Sequence, residues 1–292
     1  MAALKPFLAD RKESPLAPAA RTLRHRAQLE MALDLVDADK GSINIEAAAD
    51  ALSVLSKEPA DYGVVAAKIA LATLTFVTKS SGDPEAVMAD AMKTWQALDT
   101  APAATRTGVE RDAIDVRNAV FKPKGGGVFE SNRWNAFRWE GANTPYLVAN
   151  PQLRVRSSDG STAVVTAYDA FPDWPNVLFL DAERRAMLER VMLRLGGSKK
   201  LPWTQVMQTP NRPAGPALDV LALWKRSFWV QPGHWGGWVF ESYPIIDEIE
   251  FVNAERTKAA VTVTIGYSGG TVQLVKENGV WIAREISNIW IT

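Results

Sequence analysis

The hydrophobic period of the chain changes along its length, and no single class of secondary structure can accommodate both patterns. Apolar residues recur at three- and four-residue spacing at Leu29, Leu33 and Val36, and again at Ile45, Ala48, Leu52 and Leu55. Near the C-terminus Val261, Val263, Ile265 and Tyr267 instead alternate with Thr262 and Thr264. The first pattern lines one face of a helix and the second one face of a strand, so the chain is expected to be α+β, with helices first and an antiparallel sheet last. At 292 residues, 47% of them hydrophobic, it is long enough for one or two buried cores. The aromatic residues follow the same divide. Only five of the 26 Phe, Trp and Tyr residues precede Lys122, and ten of the eleven tryptophans follow it.

The first part reads as five helices. The third, Tyr62 to Val77, is apolar almost throughout and is interrupted by Lys68. It falls short of the roughly 20 residues needed to span a bilayer and reads as a buried core helix. The fourth starts at Asp83-Pro84, an N-cap followed by proline at the first helical position, and continues through Val87, Met88, Ala91, Met92 and Trp95. The fifth opens at Thr107, with Glu110 spaced to complete a capping box. Asp37-Ala-Asp39-Lys-Gly41, between the first two helices, has oxygen ligands but not the twelve-residue spacing of a calcium loop, so it reads as a polar turn capped by Asn44 or Ser42.

Lys122-Pro-Lys-Gly-Gly-Gly127 is read as a linker, since three glycines and a proline resist helix formation and the phosphate-loop spacing is absent. The expected organisation is a helical domain over 1–121, a linker and β-hairpin region over 122–174, and an α+β domain over 175–292. Within the middle region Leu153 and Val155 alternate with Arg154 and Arg156 ahead of a turn at Ser158–Gly160 and a run from Ala163 to Tyr168, which predicts a hairpin. Helices are expected from Asp181 to Gly196 and from Pro216 through Phe228.

Four strands follow: Ile245 to Asn253, Lys258 to Tyr267, Thr271 to Lys276 and Val280 to Ile291, with turns at 253–256, at Ser268-Gly-Gly270 and at Asn278-Gly279, the last a strong tight-hairpin signal. Helices followed by a meander that closes with Lys276-Glu-Asn-Gly-Val-Trp281 and Ile289-Trp-Ile-Thr292 resemble the NTF2-like superfamily, over roughly residues 175–292. The resemblance implies a curved antiparallel sheet with packed helices. Such domains include isomerases, epoxide hydrolases, polyketide cyclases, transport factors, immunity proteins and dimerisation modules, so it implies a fold more than a function. It also implies that a homodimer is possible.

An enzyme of this type carries out acid–base chemistry with carboxylates or tyrosines in an apolar pocket. The candidates are Tyr243, Asp247, Tyr267 and Glu285 on the predicted strands and turns, and His234 in the loop before them. Strict alternation would place Asp247 on the same face as Ile249 and Phe251; a bulge would re-aim it. No Asp-Arg-Asp or Tyr-plus-Asp signature aligns residue by residue, which counts against catalysis. Trp229, His234, Trp235 and Trp238 lie in a Gly- and Pro-containing segment whose rings could hold a partner or stack on a sugar, or be buried. His25, between Arg24 and Arg26, reads as part of a solvated helix face, and Arg184-Arg185 likewise as solvated.

Composition excludes more than it includes. With 33 basic and 33 acidic side chains there is no positive field to drive nucleic-acid or anionic-membrane binding. No cysteine and only two histidines leave no thiol nucleophile, disulfide, cysteine-ligated zinc or histidine-rich metal site, and no cofactor is expected. The first residues carry no signal-peptide core, so a cytoplasmic location is expected, or a periplasmic or secreted one if a signal has been removed. The resulting expectation is a non-catalytic binding or assembly protein taking a protein partner or a small apolar ligand. Its rivals are an acid–base enzyme acting on a small apolar molecule, and carbohydrate binding through the tryptophan-rich loop.

Overall fold

The computed structural model describes residues 15–37, 41, 43–99, 106–121, 145–169, 171, 174, 176–197, 201–202, 218–233 and 237–291. The chain is α+β, with helices α1 (Ala17–Asp34), α2 (Ile45–Leu55), α3 (Tyr62–Thr78), α4 (Pro84–Asp99), α5 (Gly108–Val120), α6 (Ala182–Gly196) and α7 (Leu218–Lys225). The strands are β1 (Leu147–Ala149), β2 (Gln152–Arg156), β3 (Thr162–Thr166), β4 (Val177–Phe179), β5 (Gln231–Pro232), β6 (Trp238–Val239), β7 (Ile245–Phe251), β8 (Lys258–Ile265), β9 (Ser268–Glu277) and β10 (Val280–Ile291). The chain forms two compact units that interleave in sequence: residues 1–98 with 182–240, and 99–181 with 241–292. This division departs from the linear partition at 121/122 and 174/175, because α6 and α7 pack with the first helices and α5 packs on the sheet. The proposed linker at Lys122–Gly127 lies outside the described residues.

In the first unit α3 is the central element, apolar all round and in contact with α1, α2, α6 and α7. The capping signals act as their chemistry requires. The Asn44 side chain accepts from the Ala47 N–H and the Asp83 carboxylate from the Ala86 N–H, each at 3.0 Å. His25 corrects the sequence reading: it is fully buried, because α1 turns it onto the start of α3 rather than outward. Its Nδ1 lies 2.7 Å from Asp61 Oδ2, while Asp61 Oδ1 caps α3 by accepting the Val64 N–H at 3.0 Å. Arg184 is buried as well, its guanidinium 3.9 Å from the centroid of the Tyr62 ring, and Arg185 is half-buried. The Arg184 guanidinium thus lies against the first residue of α3.

In the second unit six strands form one sheet in the order β10-β9-β8-β7-β2-β3, and β1 and β4 pair separately in parallel. The sheet is mixed rather than wholly antiparallel, since β2 and β7 run parallel and meet at only two pairs, Val155 with Ile249 and Arg156 with Glu250. One face is buried by Leu153, Val155, Ile249, Phe251, Val261, Val263, Val272 and Leu274, and it joins α5 and the rings of Phe121, Phe171 and Phe179 in one core. The opposite face presents Thr262, Thr264, Thr271 and Gln273, all half-buried. Helix α5 begins with the full capping box of Thr107 and Glu110. Its Asp112 accepts from Arg256 Nε at 2.8 Å and Lys276 Nζ at 2.6 Å, which fixes the helix to the β7–β8 turn and to β9.

The β8–β9 turn falls at Gly266-Tyr267 rather than at Ser268–Gly270. Gly269 and Gly270 are inside β9 because β10 crosses them closely. A Cβ on Gly269 would collide with the Trp290 ring, and one on Gly270 would come within 3.1 Å of Ile286 Cγ2. Among the described residues no helix is long and apolar enough to cross a membrane.

Candidate functional site

A cleft of about 320 Å³ opens in the second unit where the starts of β2 and β7 separate. Two features of the sequence create it. The parallel pairing of these strands begins only at Val155 and Ile249, so Gln152 and Leu153 have no ladder partner on β7. A bulge between Ile246 and Glu248 then turns the first residues of β7 out of line. Leu153, Pro244, Ile245, Ile246 and Phe121 give apolar walls, Asn150 and Gln152 stand exposed at the rim, and Arg117, Glu241 and Ser242 are buried polar groups lining the cleft.

Arg117 is set in the apolar stripe of α5 beside Ala113, Val116 and Val120, and is only 1% exposed. Burial of this kind needs acceptors, and each that it finds is a neutral oxygen. Nη1 donates to the Ala167 carbonyl at 3.3 Å and Nη2 to the Asp169 carbonyl at 2.7 Å, while Nε and Nη2 donate to Asn118 Oδ1 at 3.2 and 3.0 Å. The guanidinium lies 4.4 Å from the Phe171 ring centroid, and that ring stacks on Phe121 at 4.8 Å. Desolvation pushes the Arg117 pKa down to about 9; the Asp169 carboxylate opposes this shift and Arg106 adds to it. Arg117 stays charged at neutral pH. Asp169 spends its own carboxylate on Arg106 at 2.5 Å.

Ser242 ties this region to β1: its hydroxyl accepts the Val148 N–H at 3.0 Å, and its own N–H donates to the Val148 carbonyl at 2.8 Å. The segment carrying Glu241 is therefore held by backbone pairing rather than by side chains alone.

The residues singled out by sequence do not assemble here. Asp247 is the bulged residue of β7 and is exposed, accepting from Thr264 Oγ1 at 2.8 Å, so the alternation that would have turned it to the buried face is broken at that position. Tyr267 is at a turn and 46% exposed, against the expectation that it continue the buried face of Val261, Val263 and Ile265. Glu285 is exposed on β10 and Tyr243 packs half-buried against the core. None of these four lines the cleft. Trp229 and Trp238 are half-buried, and His234 and Trp235 lie outside the described residues. Among the described residues no group of three or more His, Asp or Glu side chains is arranged to hold a metal ion.

Arg117 and Glu241 escaped the sequence reading. For Arg117 a signal existed, a charged residue within the apolar stripe of an otherwise amphipathic helix. Glu241 has no local signal, since its burial arises only when β7 enters the sheet. Compared with known proteins, the chain matches no family model, no curated protein and no solved structure.

Proposed function

We propose that this protein is a non-catalytic binding protein of NTF2-like type that holds a small, largely apolar ligand in the cleft between β2 and β7. The observation that carries the reading is the cleft itself: a mostly apolar lining that includes a few buried polar groups, the usual composition of a small-molecule site. The meander β7–β10 backed by α5 supports the NTF2-like assignment. The exposed positions of Asp247, Tyr267 and Glu285 favour binding over acid–base chemistry by those residues. The open space within the cleft is small, which restricts the ligand to a few heavy atoms.

The test is isothermal titration of the full-length protein with branched aliphatic molecules of five or six carbons. Binding to the wild type and its loss in Gln152→Trp, which plugs the exposed rim without touching the core, is the expected result. Equal binding by the plugged variant, or none by the wild type, overturns the reading.

A second reading is assembly through β10, whose Trp290 and Ile291 are exposed at the sheet edge. Two bulges and the Arg284–Glu285 pair interrupt that edge, features that discourage strand addition. A monomeric mass by light scattering at the highest accessible concentration would remove self-assembly.

A further inference from the structure

Strand β3 closes one edge of the six-stranded sheet and β10 closes the other. Two bulges and charged side chains protect β10, whereas β3 pairs with β2 in unbroken register and consists of Thr162-Ala-Val-Val-Thr166, without charge, proline or bulge. The direction of its backbone groups follows from that register. In an antiparallel pair, residues that exchange hydrogen bonds alternate with residues that do not. The Ala167 N–H donates to the Pro151 carbonyl and the Ser157 N–H to the Ser161 carbonyl, each at 2.8 Å, and the same register sets Val165 opposite Leu153 and Ala163 opposite Val155. Ala163 and Val165 therefore turn their N–H and C=O groups to β2, while Thr162, Val164 and Thr166 turn theirs to the open edge. Arg106 Nη1 donates to the Thr166 carbonyl at 3.1 Å. The other outward groups of these three residues have no partner among the described residues. Val164 is 64% exposed, although its neighbour Val165 is buried.

We propose that β3 is a self-association edge, at which a second copy of this chain adds its own β3 antiparallel across a two-fold axis through Val164. The strand is nearly palindromic about that residue. Pairing there sets Val164 against its own copy, Thr162 against Thr166 and Ala163 against Val165, and Thr–Thr and aliphatic cross-strand pairs are of the kind that stabilise antiparallel strands. All three outward-facing residues then fall in hydrogen-bonded pairs, each exchanging two backbone bonds, and the Thr166 carbonyl keeps Arg106 on its second lone pair. Moving the axis to Ala163 or Val165 sets Thr166 opposite Gly160 or Thr162 opposite Tyr168, both outside the strand. Setting it between two residues aims the outward groups at groups already bonded to β2. The pairing is isologous, each residue meeting in the other copy the one that meets it, as a symmetric dimer requires. A charge near such an axis would meet its own copy, so an uncharged strand is what self-pairing needs. Five residues make a small interface, and the dimer therefore forms reversibly with concentration.

Sedimentation velocity of the full-length protein over about 1–500 μM, a range that reports weak association, is expected to show a monomer passing to a dimer. Val164→Pro removes an outward N–H and leaves the bonds of Ala163 and Val165 to β2 in place, so it is expected to keep the circular dichroism of the wild type and to weaken dimerisation about tenfold or more. The absence of cysteine lets single thiols read the register. With oxidised glutathione as oxidant, Val164→Cys is expected to give a disulfide-linked dimer, because a hydrogen-bonded antiparallel pair holds its Cα atoms about 5.5 Å apart. Thr162→Cys is expected not to crosslink alone and to crosslink when mixed with Thr166→Cys. A wild type that stays monomeric over the whole range, including the case in which the edge serves a different protein, overturns the proposal. So does an undiminished dimer in a folded Val164→Pro, or a Thr162→Cys that crosslinks with itself as readily as Val164→Cys. If Val164→Pro does not fold, the cysteine variants decide the matter alone.

Discussion

Trp224 and Thr73 provide a direct test of the interleaved architecture, because they are 151 residues apart in sequence and joined in the first unit by one buried hydrogen bond. Trp224 Nε1–H donates to Thr73 Oγ1 at 2.8 Å, and both side chains are fully buried. Thr73 in turn donates to the Ile69 carbonyl at 2.6 Å. Thr73→Val keeps the shape of the side chain and removes the acceptor, leaving the indole N–H without a partner at a cost of about 1–3 kcal/mol. The Ile69 carbonyl retains its helical partner, so loss of the second bond adds little, and the net expectation is about 1–2 kcal/mol. For a unit of this size such a loss lowers the melting temperature by roughly 2–8 °C. Urea unfolding followed by tryptophan fluorescence measures it, with Trp224→Phe and the double variant completing the cycle. In the Trp224→Phe background no N–H remains to be stranded, so Thr73→Val should cost close to nothing, giving a coupling of about 1–2 kcal/mol. Equal costs in the two backgrounds, within about 0.5 kcal/mol, would refute the packing of α7 on α3 and with it the grouping of residues 182–240 with the first helices.

Three further outcomes follow from the same reasoning. Gly269→Ala should destabilise the sheet by about 1–3 kcal/mol through overpacking, and Trp290→Ala in the same chain should recover part of that loss, since the new methyl meets the indole first; guanidinium unfolding curves of the three variants check this. Burial alone would raise the Asp112 carboxyl, but hydrogen bonds and charge from Arg256 and Lys276 outweigh it and hold the pKa below the ordinary value. A depressed carboxylate stabilises the fold above its unfolded pKa of about 3.9 and loses that contribution as the pH falls through the folded value, so Asp112→Asn should flatten the acid limb of a stability–pH curve measured from pH 7 to 2. Asp61→Ala should cost about 2–3 kcal/mol, combining the lost cap on Val64 with a buried His25 left without its acceptor; Asp61→Asn should cost less, because one oxygen still caps α3, and thermal denaturation separates the two.

The same residues show where local information ends. Asn44, the Asp83-Pro84 pair and the Thr107–Glu110 box were legible because each acts on backbone donors within three residues of itself. The Asn278-Gly279 turn was legible because both residues adopt the left-handed backbone that a tight hairpin requires. At Gly269 and Gly270 the same logic failed. The glycines are there for the close approach of β10, which is a property of a neighbouring strand and not of a turn. His25 looked solvated between two arginines because sequence neighbours do not reveal which side of α1 meets α3.

The sequence by itself therefore determined, among the described residues, the helices and the meander, the caps at Asn44, Asp83 and Thr107, and an α+β composition with no thiol or histidine-rich metal chemistry. Tertiary structure decided which of them share a core, that β2 joins β7 in parallel, and that a bulge faces Asp247 outward while a cleft forms beside Arg117 and Glu241. The physical reason is range. Caps and turns are satisfied within a few residues, whereas the burial of a charge or the opening of a gap between strands depends on groups 50 to 94 positions away.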